Sequence, residues 1–135
     1  MSIALPILVA IVVWFVGAAI LFFNPIVDKV YRNEEEHPAV RSLPQEPATI
    51  GKIVLAITVQ VVTWFLVFTW IRDALPTDSA QATLIFGTIL NLTKIVPRDV
   101  DRVLLTTYPP KRMTIEFAIG LLMSYLVAGS FVYVA

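Results

Sequence analysis

Two ionisable side chains stand inside otherwise apolar sequence, and they are the first candidates for chemistry. Lys94 lies near the end of the stretch Ser79–Val96, and Glu116 lies near the start of the stretch Thr114–Val134. A charge in hydrocarbon is costly unless it pairs, reaches the interface or meets water. If the two stretches are antiparallel neighbours, both residues lie at similar depth, and an ion pair between Lys94 and Glu116 is the expected arrangement. Snorkelling of the long side chains to the interface is the simpler structural alternative. Movement of a proton or ion would need further polar residues, and Gln60 and Asn91 are too few to line a path.

Other chemistry is excluded by composition. There is no cysteine, so disulfides, thiolate metal sites and cysteine nucleophiles are all absent. The single histidine, His37, follows Glu34-Glu35-Glu36. Consecutive helical residues point in different directions, so this run reads as a solvated charge patch and no metal site is expected. No triad, phosphate loop or cofactor motif occurs, so no catalytic residue and no cofactor are assigned. The formal net charge of zero argues against nucleic acid, which demands an excess of cations. Asn91-Leu92-Thr93 matches the glycosylation sequon but lies at membrane depth, out of reach of the acceptor enzyme.

The elements that must position these residues follow from hydropathy. Hydrophobic residues make up 58% of the 135 residues and charged residues 15%, and the mean hydropathy is +0.81. Soluble domains average about 45–50% apolar and about 25% charged, so both departures point to lipid. Four stretches approach the roughly 20 apolar residues that a bilayer crossing needs. They fall at about 3–23, 51–71, 79–96 and 114–134. The first lacks a basic segment before it, so it reads as a retained span and not a signal peptide. The third is the shortest and carries Thr83, Thr88, Asn91, Thr93 and Lys94, so it needs protein neighbours for its polar face.

Charge gives the orientation. Lys29, Arg32, Arg41 and Lys52 flank or occupy the loop 24–50, and Lys94, Arg98, Arg102, Lys111 and Arg112 belong to the loop 97–113 or its border. Arg72 alone of the ten basic residues falls between spans two and three. The positive-inside rule then makes both loops cytoplasmic, or its organellar equivalent, and puts both termini on the opposite side. The fold class is therefore all-α: an integral membrane bundle of four helices with up-down topology, in a single domain over 1–135.

The loops carry weaker signals. Four of the nine prolines, Pro25, Pro38, Pro44 and Pro47, break the first loop, while Val27, Val30 and Tyr31 form an apolar face before Pro38. In the second inner loop, Val100, Val103 and Leu104 form a stripe behind Pro97, which predicts a short amphipathic helix on the inner surface. Arg98, Arg102, Lys111 and Arg112 would then contact anionic headgroups. Within the spans, Gly120, Ser124 and Ala128 recur at four-residue spacing, and Gly87 and Asn91 share a stripe of span three. Such faces let helix backbones approach closely. Gln60 and Thr63, on one side of span two, can hydrogen-bond across the bundle. Trp70, near Arg72, is expected as an interfacial anchor.

The order of these features resembles a family of small four-span membrane proteins known as domain of unknown function 1761. The resemblance lies in Trp14-Phe15-Val16-Gly17-Ala18-Ala19, in Asn24-Pro25-Ile26-Val27-Asp28-Lys29-Val30-Tyr31, and in the arrangement of a Gly-containing span, basic loop and terminal helix over Leu84–Val134. The family's Trp-Tyr pair after the glycine is here replaced by aliphatic residues and Phe22-Phe23. The resemblance implies the four-span architecture and carries no activity or functional residue. Together these readings lead to a non-enzymatic membrane protein: an accessory or structural subunit whose partners are the lipid bilayer and other membrane subunits or copies of itself. A small oligomeric transporter or channel is the alternative.

Overall fold

The computed structural model describes residues 2–22, 24–33, 38 and 47–135. The run Glu34-Glu35-Glu36-His37, Arg41 and Pro44 lie outside the described residues. Helix accounts for 89% of those described, with no strand among them. The helices are α1 (Ala4–Phe22), α2 (Pro25–Asn33), α3 (Pro47–Ile71), α4 (Ser79–Leu90), α5 (Val96–Leu105) and α6 (Pro110–Val134).

Three helices are long and apolar enough to cross a membrane: Ala4–Phe22, Pro47–Ala74 and Pro110–Val134. They correspond to the first, second and fourth apolar stretches. Asn24 marks the corner between α1 and α2: its amide donates to the Leu21 carbonyl, and its Oδ1 accepts from the Val27 N–H. This supplies the N-terminal acceptor that α2 otherwise lacks. After α3 a 3-10 turn, Arg72–Ala74, leads outward, and the Asp78 carboxylate accepts the Gln81 N–H at 2.9 Å to start α4.

The third stretch differs from its prediction. The sequence suggests a span ending near Val96 and a separate surface helix after it. The backbone instead stays helical from Ser79 to Leu105, passing through one π turn at Asn91–Ile95. Pro97 gives the reason. In an α-helix its ring would strike the Thr93 carbonyl and it has no N–H to give. A wider turn immediately before it relieves that conflict without ending the helix. Inside the bundle the helix presents Ala82, Phe86, Gly87, Leu90 and Asn91, while Leu84, Ile85 and Leu92 face outward.

The bundle is centred on α6, which packs closely on both α4 and α1. Gly87 allows the first of these approaches, since a Cβ there would collide with the Tyr125 ring. Gly17 serves the second: a Cβ there would come 2.9 Å from the Met123 sulfur. Helix α3 joins through larger side chains. Phe65, Phe68, Phe86 and Phe131 form an aromatic cluster with ring centroids 5.3–6.2 Å apart. Their edge-on and tilted geometries suit the ring quadrupoles. The first half of α3 lies outside this contact, and a Cβ on Gly51 would meet nothing within 4 Å.

Candidate functional site: a carboxylate knot at the end of the bundle

Glu116 stands six residues into α6, about 9 Å from the helix start at 1.5 Å per residue. Its carboxylate collects donors from three other segments. Oε1 accepts the Tyr31 hydroxyl of α2 at 2.8 Å and the Tyr108 hydroxyl of the loop before α6 at 2.6 Å. Oε2 accepts the Arg102 Nη1 of α5 at 2.6 Å. The Arg112 Nε, one helical turn back, lies 3.8 Å from Oε1, near enough to attract but too far for a hydrogen bond.

A second carboxylate backs the first. Asp99 accepts from Arg98 Nε at 3.1 Å, from Arg98 Nη2 at 3.0 Å, and from Arg102 Nη1 at 3.4 Å. Arg102 thus bridges Asp99 and Glu116. The guanidinium planes also cover the tyrosines, with Arg102 Cζ 4.4 Å from the Tyr108 ring centroid and Arg112 Cζ 3.8 Å from that of Tyr31. Three arginines (Arg98, Arg102, Arg112) against two carboxylates (Asp99, Glu116) leave the group one unit positive.

The electrostatics favour neutral phenols. Burial, followed by the hydrogen bond to Glu116, pushes the Tyr108 hydroxyl up to about 12. The same causes, in the same order, raise Tyr31 far above the ordinary phenol value. Both tyrosines therefore act as fixed donors. Three of the roughly four acceptor positions of the Glu116 carboxylate are thus taken by groups of the chain itself. What the arrangement does is tie α2, α5 and α6 together at one end of the bundle.

An apolar groove of about 500 Å³ opens next to this knot, between α5 and the start of α6, lined by Val96, Val100, Val103, Leu104, Met113 and Phe117 together with Asp99 and Thr114. Val103 and Leu104 are 62% and 73% exposed, so the predicted apolar stripe of α5 is on the outside of the molecule.

The expected Lys94–Glu116 pair is not formed. Glu116 is saturated by Arg102 and the tyrosines, whereas the Lys94 ammonium lies 4.8 Å from the Trp64 ring centroid and 5.7 Å from that of Trp14. The physical reason is competition: Arg102 and Arg112 approach the same carboxylate from closer segments, and Arg112 sits at the favourable i, i+4 spacing. Of the four cations expected at headgroups, Arg98, Arg102 and Arg112 spend their guanidinium groups on these internal partners, and Lys111 is the exposed one.

The expected packing residues divide into two groups. Gly87, Asn91, Gly120, Ser124 and Ala128 meet along the seam of α4, the π turn and α6. Ser124 and Ala128 are buried there, a Cβ on Gly120 would touch Ile95, and Asn91 Nδ2 reaches the Leu121 carbonyl at 3.5 Å. Gln60 belongs elsewhere, on α3, and its Nε2 is buried with no acceptor among the described residues. Thr63 does not bond across the bundle: its hydroxyl returns to the Val59 carbonyl of its own helix, the usual resort of Thr in a helix. Trp70 is 87% exposed at the end of α3.

Tyr31 and Tyr108 are the residues that sequence reasoning missed. The i, i+4 spacing of Arg112 and Glu116 and the i, i+3 spacing of Asp99 and Arg102 were the legible signals; nothing in the chain marks the two phenols as their partners. Among the described residues no group of three or more His, Asp or Glu side chains could hold a metal ion. Comparison with protein families, curated proteins and solved structures finds no match.

Proposed function

We propose that the chain is a four-span integral membrane protein without catalytic activity, acting as an accessory or assembly subunit of a larger membrane complex. Its loops 24–50 and 97–113 would face the cytoplasm or its organellar equivalent, and both termini the other side. The observation that carries this reading is the saturation of the Glu116 knot: the richest polar cluster in the described chain is spent on joining helices. Three helices long enough to span a membrane support the architecture. The helix Ser79–Leu105 completes it as the third span, because its polar Asn91 turns to α6 and its outward residues Leu84, Ile85 and Leu92 suit lipid. The resemblance to domain of unknown function 1761 is in keeping with four spans.

Broad apolar faces remain for lipid or partners. Leu8, Val12, Val16 and Ile20 recur at four-residue spacing on α1 and are each more than half exposed. Purification of the intact chain in mild detergent tests the reading. A stoichiometric larger membrane partner is the expected result. A pure homo-oligomer whose ion flux is abolished by Lys94→Met would replace it with the channel alternative, which the orphaned polar atoms of Gln60 and Asn91 favour. Labelling of a Ser2→Cys variant only from the cytoplasmic side would overturn the orientation.

A further inference from the structure

Lys94 lies inside an apolar stretch and finds no countercharge among the described residues. It sits in the π turn, and helical side chains lean toward the N-terminus of their helix. Its ammonium accordingly points back along α4, to the rings of Trp14 and Trp64. Trp14 is ten residues from Ala4 and eight from Phe22, about 15 Å and about 12 Å along α1. The cation therefore lies level with the middle of a candidate span, where snorkelling to the inner edge does not take it.

Among the described residues the Lys94 ammonium has no carboxylate within 4.0 Å and no hydrogen-bond acceptor. Two aromatic faces offset part of its desolvation, but an ammonium carries three donors that rings do not satisfy. A second shortage lies about one turn away, on α3 and on the helix of Lys94 itself. Gln60, four residues before Trp64, has a buried amide nitrogen without acceptor, and Asn91, three residues before Lys94, has a buried amide oxygen without donor. Lys94 is only partly buried, so its side chain is reachable from the surface of the bundle.

We propose that Lys94 is a docking site for a transmembrane helix of a partner protein that carries Asp or Glu near its midpoint. A carboxylate accepts about four hydrogen bonds and would meet the needs of the Lys94 ammonium. Charge complementarity excludes the other occupants. A second copy of this chain offers no carboxylate at that depth among the described residues: Glu116 and Asp99 are committed to arginines, Asp28 pairs with Arg32 at 3.0 Å, Asp73 and Asp78 lie in the connection between α3 and α4, and Asp101 lies on α5 beyond the π turn. An anionic lipid presents its charge at the interface, about 12 Å away along α1. The inference rests on the accessory-subunit reading and names the chemistry by which that partner would be held.

The test reconstitutes the full chain in zwitterionic phosphatidylcholine vesicles with synthetic apolar transmembrane peptides of about 20 residues. Association is read by energy transfer from a donor-labelled protein to an acceptor-labelled peptide. A peptide with Asp at its midpoint is expected to associate about tenfold more tightly than its Leu counterpart, the size that interhelical polar contacts reach in model peptides. Lys94→Met should abolish the difference while Lys94→Arg retains it, and helical circular dichroism checks that each variant folds. Equal association of the Asp and Leu peptides with the unaltered chain would overturn the inference without recourse to any variant. So would a peptide with Asp near its end that binds as well as one with Asp at the midpoint. A native partner that still co-purifies with Lys94→Met, beside indifferent peptides, would sink the Lys94 site and leave the subunit reading standing; the reverse pair of results would sink only the subunit reading.

Discussion

Replacing Glu116 with Gln keeps the shape of the knot and removes its charge, so the substitution measures what the carboxylate contributes. With the amide oxygen toward the tyrosines, the new NH₂ would face Arg102 Nη1 across the 2.6 Å that Oε2 now spans, donor against donor. Flipping the amide restores an acceptor to Arg102 and leaves the NH₂ to donate to two hydroxyls, which can turn to accept. The flipped form therefore wins, and the loss is that of charge assistance on three hydrogen bonds, not of the bonds themselves. Hydrogen bonds to charged groups contribute about 1.5–3 kcal/mol against about 1 for neutral ones. The side chains of Arg102 and Glu116 are 27% and 18% exposed, which moderates the ionic part.

The expected cost of Glu116→Gln is thus about 2 kcal/mol, and that of Glu116→Ala about 3–4 kcal/mol, because Ala also strands the half-buried tyrosine donors and the Arg102 guanidinium. Reversible unfolding in mild detergent, followed by the fluorescence of Trp14 and Trp64, gives both values. Coupling is the sharper check. Tyr108→Phe should cost about 1 kcal/mol in the unaltered chain and clearly less on the Glu116→Gln background, since the two share one network. A Glu116→Gln variant within about 0.5 kcal/mol of the unaltered chain would refute the reasoning, and so would full additivity with Tyr108→Phe.

Other outcomes follow from the same geometry. Lys94→Met and Glu116→Gln should be additive within about 0.5 kcal/mol, because the two side chains share no partner; rescue of one by the other in the same unfolding assay would restore the expected ion pair. Gly87→Ala should destabilise by about 1–3 kcal/mol, since its Cβ meets the Tyr125 ring, itself held by Thr88 at 3.0 Å. Gly51→Ala, with open space around it, should instead stabilise by about 0.5–1 kcal/mol, both read by thermal unfolding. The raised Tyr108 favours the neutral phenol in the folded state, so its contribution is complete below the ordinary value of 10.0 and is lost as pH rises toward about 12. Melting temperatures across that window should fall for the unaltered chain and fall less for Tyr108→Phe.

Sequence alone determined the apolar segments, because lipid leaves the backbone no partner but itself and that demand is written as length and hydropathy. It also marked Lys94, Glu116 and the small residues of α6 as unusual, since each breaks an apolar run. The partners of the two charges were decided only by the tertiary structure. Pairing depends on which segments the packed helices bring within reach of a given carboxylate, and Tyr31, 85 residues away in the chain, carries no signature of its place at Glu116. The path of the third helix was likewise beyond reach of pattern. Pro97 reads as a stop in the sequence, yet a π turn absorbs it and keeps the helix running to Leu105. Lys94 lies in that turn and faces two tryptophans on other helices, an arrangement that no linear spacing contains.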